Sequence, residues 1–199
     1  CNVGVYELMR KHFGFNNAEV YFDYLHRFRL DQPTGIQLKN EGIPYIKNSK
    51  SKSYSSTTMP WMSIGYESRI TPLQMLTFYN AIANNGYWVQ PLLVKEVRSG
   101  NLITEKFEAN RISEAICSES TIAKVRKMME GVVNVGTAKN VKDGHCKIAG
   151  KTGTSQKRIT GNYKEGIYYT SFIGYFPVNN PKYSCVVVID EPTGTNVYA

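Results

Sequence analysis

The chain has 199 residues, of which 42% are hydrophobic and 20% charged, with 16 glycines and 8 prolines. This composition excludes disordered, collagen-like and low-complexity chains, and we expect residues 1–199 to fold as one unit. Lysine and arginine number 24 against 16 aspartate and glutamate, a formal net charge of +8, but they are scattered along the chain, so we expect a solvated basic surface and no nucleic-acid partner.

Two short helices are predicted at the start of the chain. Asn2 is a good N-cap, and apolar residues follow it at helical spacing over residues 5–13, up to Gly14. The same spacing recurs over residues 20–28. Residues 48–58 are rich in serine and lysine and lack a periodic apolar face, which predicts an exposed loop outside the core.

The middle of the chain predicts two longer helices and a β-hairpin. Thr71 and Gln74 form a capping-box pattern with a proline between them, which predicts a helix over residues 72–82. Two short apolar runs around a Gly-Asn turn predict a hairpin over residues 92–107. Apolar spacing then predicts an amphipathic helix over residues 122–133.

The last third of the chain predicts a sheet. Residues 147–155, 168–176 and 183–191 are β-branched or aromatic runs separated by Gly, Asn and Pro. The short links, without helical periodicity, favour antiparallel pairing of three strands, and helices followed by a sheet predict an α+β fold. The first link, residues 156–167, is polar, basic and glycine-containing, which predicts a mobile loop at the rim of the site.

Residues 150–154, GKTGT, carry the strongest signal for chemistry. A phosphate-binding P-loop would need a glycine at position 145, which is histidine here, and a helix that begins at the lysine. The other interpretation is a strand edge that meets an anionic, carbonyl-bearing substrate. Lys151 and Thr152 can hold a carboxylate, since both carry donors. Gly153 leaves room for a ligand backbone, and the Thr154 N–H can stabilise an oxyanion.

Several motifs stand in the order of one known family. Residues 151–155 (KTGTS), 171–177 (SFIGYFP) and 183–189 (YSCVVVI) resemble the C-terminal half of a penicillin-binding protein transpeptidase domain of the monofunctional class B type, which serves division or elongation. The upstream residues 34–38, 63–66, 71–75, 131–133 and 136–138 fit the same order. The resemblance implies a β-lactamase/transpeptidase-like α+β fold, in which an antiparallel sheet with three C-terminal strands packs with helices in an incomplete domain.

The family has three boxes: S-x-x-K with the nucleophilic serine, then S-x-N, then K-T-G. Cys1-Asn2 resembles the end of the second box. The resemblance therefore implies that the serine of that box and the whole S-x-x-K box precede residue 1. We expect the nucleophile to be missing from this chain.

Two literal copies of these boxes inside the chain are rejected. Ser49-Lys50-Ser51-Lys52 reads S-x-x-K, but it lies in a predicted polar loop and after Asn2, whereas the lysine must lie one helical turn from the serine that it activates. Ser99-Gly100-Asn101 reads S-x-N, but it is the predicted hairpin turn.

The resemblance implies a serine D,D-transpeptidase that cross-links peptidoglycan stem peptides by acyl transfer and reacts with β-lactams. Asn2 would bind the substrate amide, and Lys151 would orient the terminal carboxylate and support proton transfer. Thr152, Gly153 and Thr154 would form the substrate-binding strand, and the Thr154 N–H would bind the oxyanion. Because one peptide would touch both, we expect Asn2 within about 15 Å of Lys151.

No cofactor or metal is expected. The four cysteines are far apart in the sequence and form no C-x-x-C pair. No apolar run approaches the roughly 18 residues that span a bilayer. The resemblance implies an extracytoplasmic domain whose parent is anchored by an N-terminal helix outside this chain and meets other cell-wall synthesis proteins.

Two alternatives stay open at this point. A non-catalytic binding or scaffold module could keep the same fold, and the residues before Cys1 would distinguish it from the enzyme. A nucleic-acid module is suggested by the net charge alone, and a salt-dependent affinity would reveal it.

Overall fold

The computed structural model describes residues 1–14, 17–159 and 162–193. It divides into two units, Cys1–Gln74 and Met75–Ala199. The boundary falls within a helix, so each unit is described by itself, and the expectation of one folding unit stays a prediction.

The first unit confirms the two helices predicted at the start of the chain. The first helical hydrogen bond runs from the Val5 N–H to the Cys1 carbonyl at 3.1 Å, so Cys1 is the N-cap. The prediction that Asn2 caps the helix is therefore wrong, and Asn2 is the first helical residue. The elements of this unit are α1 (Asn2–His12), α2 (Ala18–Arg27), β1 (Tyr45–Ile46), α3 (Thr58–Ser63), β2 (Ser68–Arg69) and the start of α4 (Pro72–Ala83).

The serine- and lysine-rich segment is a series of turns, as predicted, but its last residue belongs to the core. Thr58 is fully buried and begins α3, in which Met59 and Met62 are also buried. Its hydroxyl accepts the Ser55 N–H at 3.1 Å, so the polar atom is satisfied while the methyl group packs inside. The prediction that this segment stays outside the core is wrong at Thr58.

Three charged side chains, those of Glu41, Lys47 and Glu67, link separate segments of the first unit. The Glu41 carboxylate accepts the Thr34 N–H at 2.8 Å, the Thr34 hydroxyl at 2.6 Å and the Gly35 N–H at 2.9 Å, which closes the loop between them. Lys47, which is buried, donates to Glu67 at 2.8 Å. This pair lies next to the antiparallel pairing of β1 with β2.

The elements of the second unit after α4 are β3 (Tyr87–Val89), β4 (Glu96–Ser99), β5 (Leu102–Lys106), β6 (Arg111–Ala115), α5 (Glu119–Asn134), β7 (Ala149–Ile159), β8 (Asn162–Phe176) and β9 (Tyr183–Asp190). The β4–β5 hairpin is confirmed, although it begins at Glu96 and not at residue 92. Gly100 in its turn has φ of 60°, a conformation that glycine adopts without strain. The predicted capping box is present as well, since Thr71 and Gln74 exchange hydrogen bonds of 2.8 and 3.2 Å.

The three C-terminal strands form an antiparallel sheet in the order β7-β8-β9, which confirms the predicted meander. The strands are longer than predicted, because β7 extends to Ile159 and β8 begins at Asn162. The prediction of a loop over residues 156–167 is therefore wrong for residues 156–159 and 162–167. The remaining two residues of that segment lie outside the described residues.

Helix α5 packs on β7. Ile122, Met129 and Val133 of α5 are buried. Arg126 donates to the Val178 carbonyl at 2.9 Å, which ties the helix to the turn after β8. Tyr175, in the middle of this packing, is completely buried. The predicted helix over residues 122–133 is thus confirmed, with Ser118 as its N-cap.

Within the described residues, no helix combines the length and apolar character that crossing a bilayer requires. The same residues contain no group of three or more His, Cys, Asp or Glu side chains placed to hold a metal ion. All four cysteines are free thiols, and Cys1 is the exposed one.

Candidate active site

Strand β7 presents the KTGT segment at one edge of the three-stranded sheet. Its pairing with β8 runs without a shift from Ala149 to Gln156. Side chains in a strand alternate between faces, so Thr152 and Thr154 share one face, while Lys151 lies on the other. The strand has no bulge at Gly153, because the register shift of β7 lies between Gln156 and Arg158.

Lys151 reaches across the strand edge with its side chain. Its Nζ donates to the Thr152 carbonyl at 2.7 Å, so the ammonium group lies beside the threonine although the two side chains leave the strand on opposite faces. Lys151 is exposed, and no carboxylate of the described residues lies within ion-pair distance of it. Its charge is therefore available to an anionic ligand.

Thr152 is the half-buried member of the segment, and a second threonine contacts it. The hydroxyls of Thr137 and Thr152 lie 2.9 Å apart. Thr137 follows α5 and is 15 residues away in sequence, so the contact depends on how α5 packs against β7. Thr137 belongs to a segment that resembles a family motif, but no local sequence pattern predicts this hydrogen bond.

Gly153 faces Ser171 of β8. A Cβ at Gly153 would come within 2.6 Å of the Ser171 hydroxyl oxygen, so the strand surface is shallow at this point. The absence of a side chain lets an extended ligand lie close to the backbone of β7.

Asn2 lies in the first unit, at the exposed start of α1, and the KTGT segment lies in the second. The expectation that Asn2 and Lys151 share one groove stays a prediction. Within the second unit, the structure brings together Lys151, Thr152, Gly153 and Thr154 on one strand edge and adds Thr137 to them.

The rejected S-x-x-K copy is in a turn, as expected. Ser49 lies outside any helix, and its hydroxyl donates to the Glu19 carboxylate. Lys52 also lies in a turn and is exposed. The rejected S-x-N copy ends β4 with Ser99 and continues into the Gly100-Asn101 turn.

A cluster of charges secures the sheet beyond the site. Lys157 of β7 donates to Asp190 at 2.9 Å and to Glu191 at 2.7 Å, and its Nζ lies 5.0 Å from the centre of the Tyr169 ring. The hydrogen bonds to Glu191 and Asp190 raise the pKa of Lys157. The cluster links β7 to the end of β9 across β8. Lys157, which was predicted to lie in a mobile loop, is therefore a strand residue held by these hydrogen bonds.

Comparison with known proteins identifies the family. The profile described as penicillin binding protein transpeptidase domain matches residues 1–199. The chain belongs to this family. Stage V sporulation protein D of Bacillus subtilis is 31% identical to this transpeptidase domain chain over 198 residues, which cover 98% of the chain and 29% of that protein.

Two further relatives of the transpeptidase domain chain extend the comparison. The peptidoglycan D,D-transpeptidase FtsI homolog of Mesostigma viride is 26% identical, covering 96% of the chain and 34% of the relative. The crystal structure of penicillin-binding protein 3 from Mycobacterium tuberculosis in complex with aztreonam is 31% identical and superposes with a TM-score of 0.83, covering 96% of this chain and 43% of that one. The predicted α+β, β-lactamase/transpeptidase-like fold is thereby confirmed. The chain spans about a third or less of the length of the curated relatives described here.

Proposed function

We propose that this chain is part of a serine D,D-transpeptidase that cross-links peptidoglycan stem peptides and is acylated by β-lactams. Family membership supports the reaction class, and one relative is itself named a peptidoglycan D,D-transpeptidase. A structure of another relative holds the β-lactam aztreonam. The observation that carries the proposal for this chain is the edge strand β7, on which the exposed Lys151 ammonium group lies beside the Thr152 carbonyl, and Gly153, which has no side chain, follows next in sequence.

The substrate would lie along β7 as an additional strand. Its terminal carboxylate would meet the Lys151 ammonium group and the hydroxyls of Thr152 and Thr154, which are the donors that a carboxylate needs. Because the N–H and C=O of one residue in an antiparallel strand point to the same edge, and the Thr152 carbonyl accepts from Lys151, the Thr154 N–H would point to that edge too. A substrate carbonyl there would place its developing oxyanion on this N–H, a donor worth about 3 to 4 kcal/mol in comparable sites.

The chemical step needs an activated serine, and the one S-x-x-K copy in the sequence lies in a turn. We propose that the nucleophile lies in a part of the parent protein outside this chain, which is consistent with the small share of the relatives that the chain covers. The serine oxygen would attack the penultimate D-alanine carbonyl, and the terminal D-alanine would leave. Asn2 would hold the substrate amide during this step.

Location and partners follow from the substrate. Peptidoglycan cross-linking takes place outside the cytoplasmic membrane, so the site would face that side and the parent would be held there by a helix outside residues 1–199. We propose other cell-wall synthesis proteins as partners of the parent. Protease treatment of intact cells, which reaches only extracytoplasmic domains, would test the location.

Labelling of the parent protein with a fluorescent penicillin tests the proposed function. We expect one covalent label per molecule, at least 100-fold slower labelling in Lys151→Ala, and unchanged labelling in Lys124→Ala, a matched exposed lysine on α5. Folding of each variant is checked by circular dichroism. A folded parent that takes no label, or equal labelling rates in the two lysine variants, would contradict the proposal.

A further inference from the structure

We propose that Thr137 is a positioning residue for carboxylate recognition, because its hydroxyl orients the hydroxyl of Thr152. This inference rests on the proposed function, in which Thr152 binds the carboxylate of the acyl donor. It adds a residue that lies outside the three boxes, on a different element from the KTGT strand.

The end of α5 fixes where Thr137 lies. The Val135 and Gly136 N–H groups both donate to the Gly131 carbonyl at 3.0 Å, and the Ala138 N–H donates to the Val132 carbonyl at 3.1 Å. These bonds close the last turn of the helix on both sides of Thr137.

The neighbours of Thr137 leave little freedom to that turn. A Cβ at Gly136 would come within 2.8 Å of the Val132 backbone, so only glycine allows this close approach. Ala138 is 1% exposed and packs in the core. Thr137 itself is exposed and is held between these two contacts, with its hydroxyl 2.9 Å from that of Thr152.

The direction of the hydrogen bond gives the contact its function. In the free site either hydroxyl can donate to the other. A carboxylate only accepts, so a bound substrate requires the Thr152 proton to point at it, and Thr152 must then accept from Thr137. The Thr137 hydroxyl thus holds the Thr152 oxygen in place and polarises its O–H toward the ligand. Lys151 contributes charge but cannot select this direction.

The contact should therefore favour acyl donors with a free carboxylate over donors without one. A neutral hydrogen bond of this kind changes an equilibrium or rate by about threefold to tenfold. Thr137→Ser keeps the hydroxyl, whereas Thr137→Val keeps the shape and loses it. Thr104→Val, the same change on an exposed residue of the β4–β5 hairpin, is the matched control.

The test is the second-order rate of acylation of the full-length parent protein by benzylpenicillin and by its methyl ester, which lacks the charged carboxylate. We expect Thr137→Val to slow acylation by benzylpenicillin about threefold to tenfold. The ester rate should be unchanged, and Thr137→Ser and Thr104→Val should match wild type. In a Thr152→Val background, the Thr137→Val change should have no further effect, because the hydroxyl that it positions is absent.

Each outcome decides the matter. Wild-type acylation with an unchanged rate in Thr137→Val would overturn this inference and leave the proposed function standing. Another outcome is that Thr137→Val lowers the acylation rate equally with penicillin and its ester, or equally with and without the Thr152 hydroxyl. Either result would show a merely structural role for Thr137 and would also overturn this inference. A folded wild-type parent that is not acylated would overturn the proposed function and, with it, this inference.

Discussion

Two glycines of β7 show how single residues shape the candidate site for different reasons. A Cβ at Gly150 would meet the ring of Phe172 and come within 2.7 Å of the Ile173 carbonyl. A Cβ at Gly153 would meet only the Ser171 hydroxyl, which can rotate away. Gly150 therefore serves the packing of the sheet, while Gly153 leaves one face of β7 without a side chain beside Ser171.

We expect Gly150→Ala to lower the free energy of unfolding by about 2 to 3 kcal/mol, because backbone and ring must both shift. Gly153→Ala should cost less than about 1 kcal/mol, and Ser171→Ala should remove that cost. Gly131→Ala, at a helical position with open space around it, should be neutral or stabilising and is the control. Urea unfolding measures the free energy of unfolding of these variants. Equal destabilisation by Gly150→Ala and Gly153→Ala would contradict the different roles of the two glycines.

Glu41 predicts an acid-sensitive loop. Burial alone would raise the pKa of Glu41, but hydrogen bonds from the Thr34 hydroxyl and from the backbone of Thr34 and Gly35 outweigh it and lower the pKa. A folded-state pKa below the unfolded one means that the charged form stabilises the fold above the unfolded-state pKa. This stabilisation is lost as the pH falls through the folded-state pKa.

At pH 7, Glu41→Gln should therefore lower the free energy of unfolding by about 1 to 2 kcal/mol. The difference from wild type should close as the pH falls through the lowered pKa of Glu41, where the wild-type carboxylate becomes protonated. Glu105→Gln, an exposed position of β5, should show no such difference. Urea unfolding from neutral to acid pH tests the prediction. A difference in unfolding free energy between Glu41→Gln and wild type that persists or widens in acid would refute it.

At the scale of elements, one ion pair flanks the short strand pairing described in the first unit. β1 and β2 contribute two residues each, too few to be stable as an isolated ribbon. Lys47 and Glu67 flank this pairing, with side chains that are 11% and 28% exposed. A charge buried to this degree is costly when its partner is removed.

We expect Glu67→Gln to destabilise the fold by about 2 kcal/mol, since it leaves the Lys47 ammonium group without its carboxylate. Lys47→Met combined with Glu67→Gln should recover part of the loss, because no buried charge remains. Glu108→Gln, which removes an exposed pair with Lys106, should cost no more than about 0.5 kcal/mol. Thermal unfolding distinguishes the variants. A double variant less stable than Glu67→Gln would show that the unpaired Lys47 charge is not the cause of the destabilisation.

At the scale of the whole molecule, we propose that carboxylate recognition and acylation belong to different parts of the polypeptide. The chain contains the strand proposed to bind the carboxylate, whereas its one S-x-x-K sequence lies in a turn. Ser49 in that turn is hydrogen-bonded to Glu19, and Lys52 lies in a turn and not one helical turn along the same helix. An acylation centre needs a serine next to a base and an oxyanion hole completed by the serine's own N–H.

Residues 1–199 alone should therefore form no covalent adduct with penicillin. These residues should bind penicillin only non-covalently, through its carboxylate on the solvated edge of β7, with an affinity no better than about millimolar. Intact-mass spectrometry after incubation with a fluorescent penicillin measures this directly. A stoichiometric adduct that disappears in Ser49→Ala would show that the turn is the active centre after all.

Local interactions made much of the secondary structure predictable from the sequence. The capping box of α4 joins Thr71 to Gln74, three residues away, and the β4–β5 turn needs only Gly100 and Asn101. Such patterns are complete within one turn of chain, so they can be recognised without knowing the fold. The KTGT segment was recognisable for the same reason. The family followed from the order of short motifs, which the match over residues 1–199 confirms.

Tertiary structure alone decided the contacts between elements. Apolar spacing predicted α1, but none of its residues is buried. Thr137 meets Thr152, and Lys157 meets Asp190, over 15 and 33 residues. The free energy of such pairs includes the loop closure between them and depends on the packing of α5 and β8, which no local pattern encodes. The sequence thus determined the helices, the hairpin and the recognition strand, whereas packing determined which side chains support that strand.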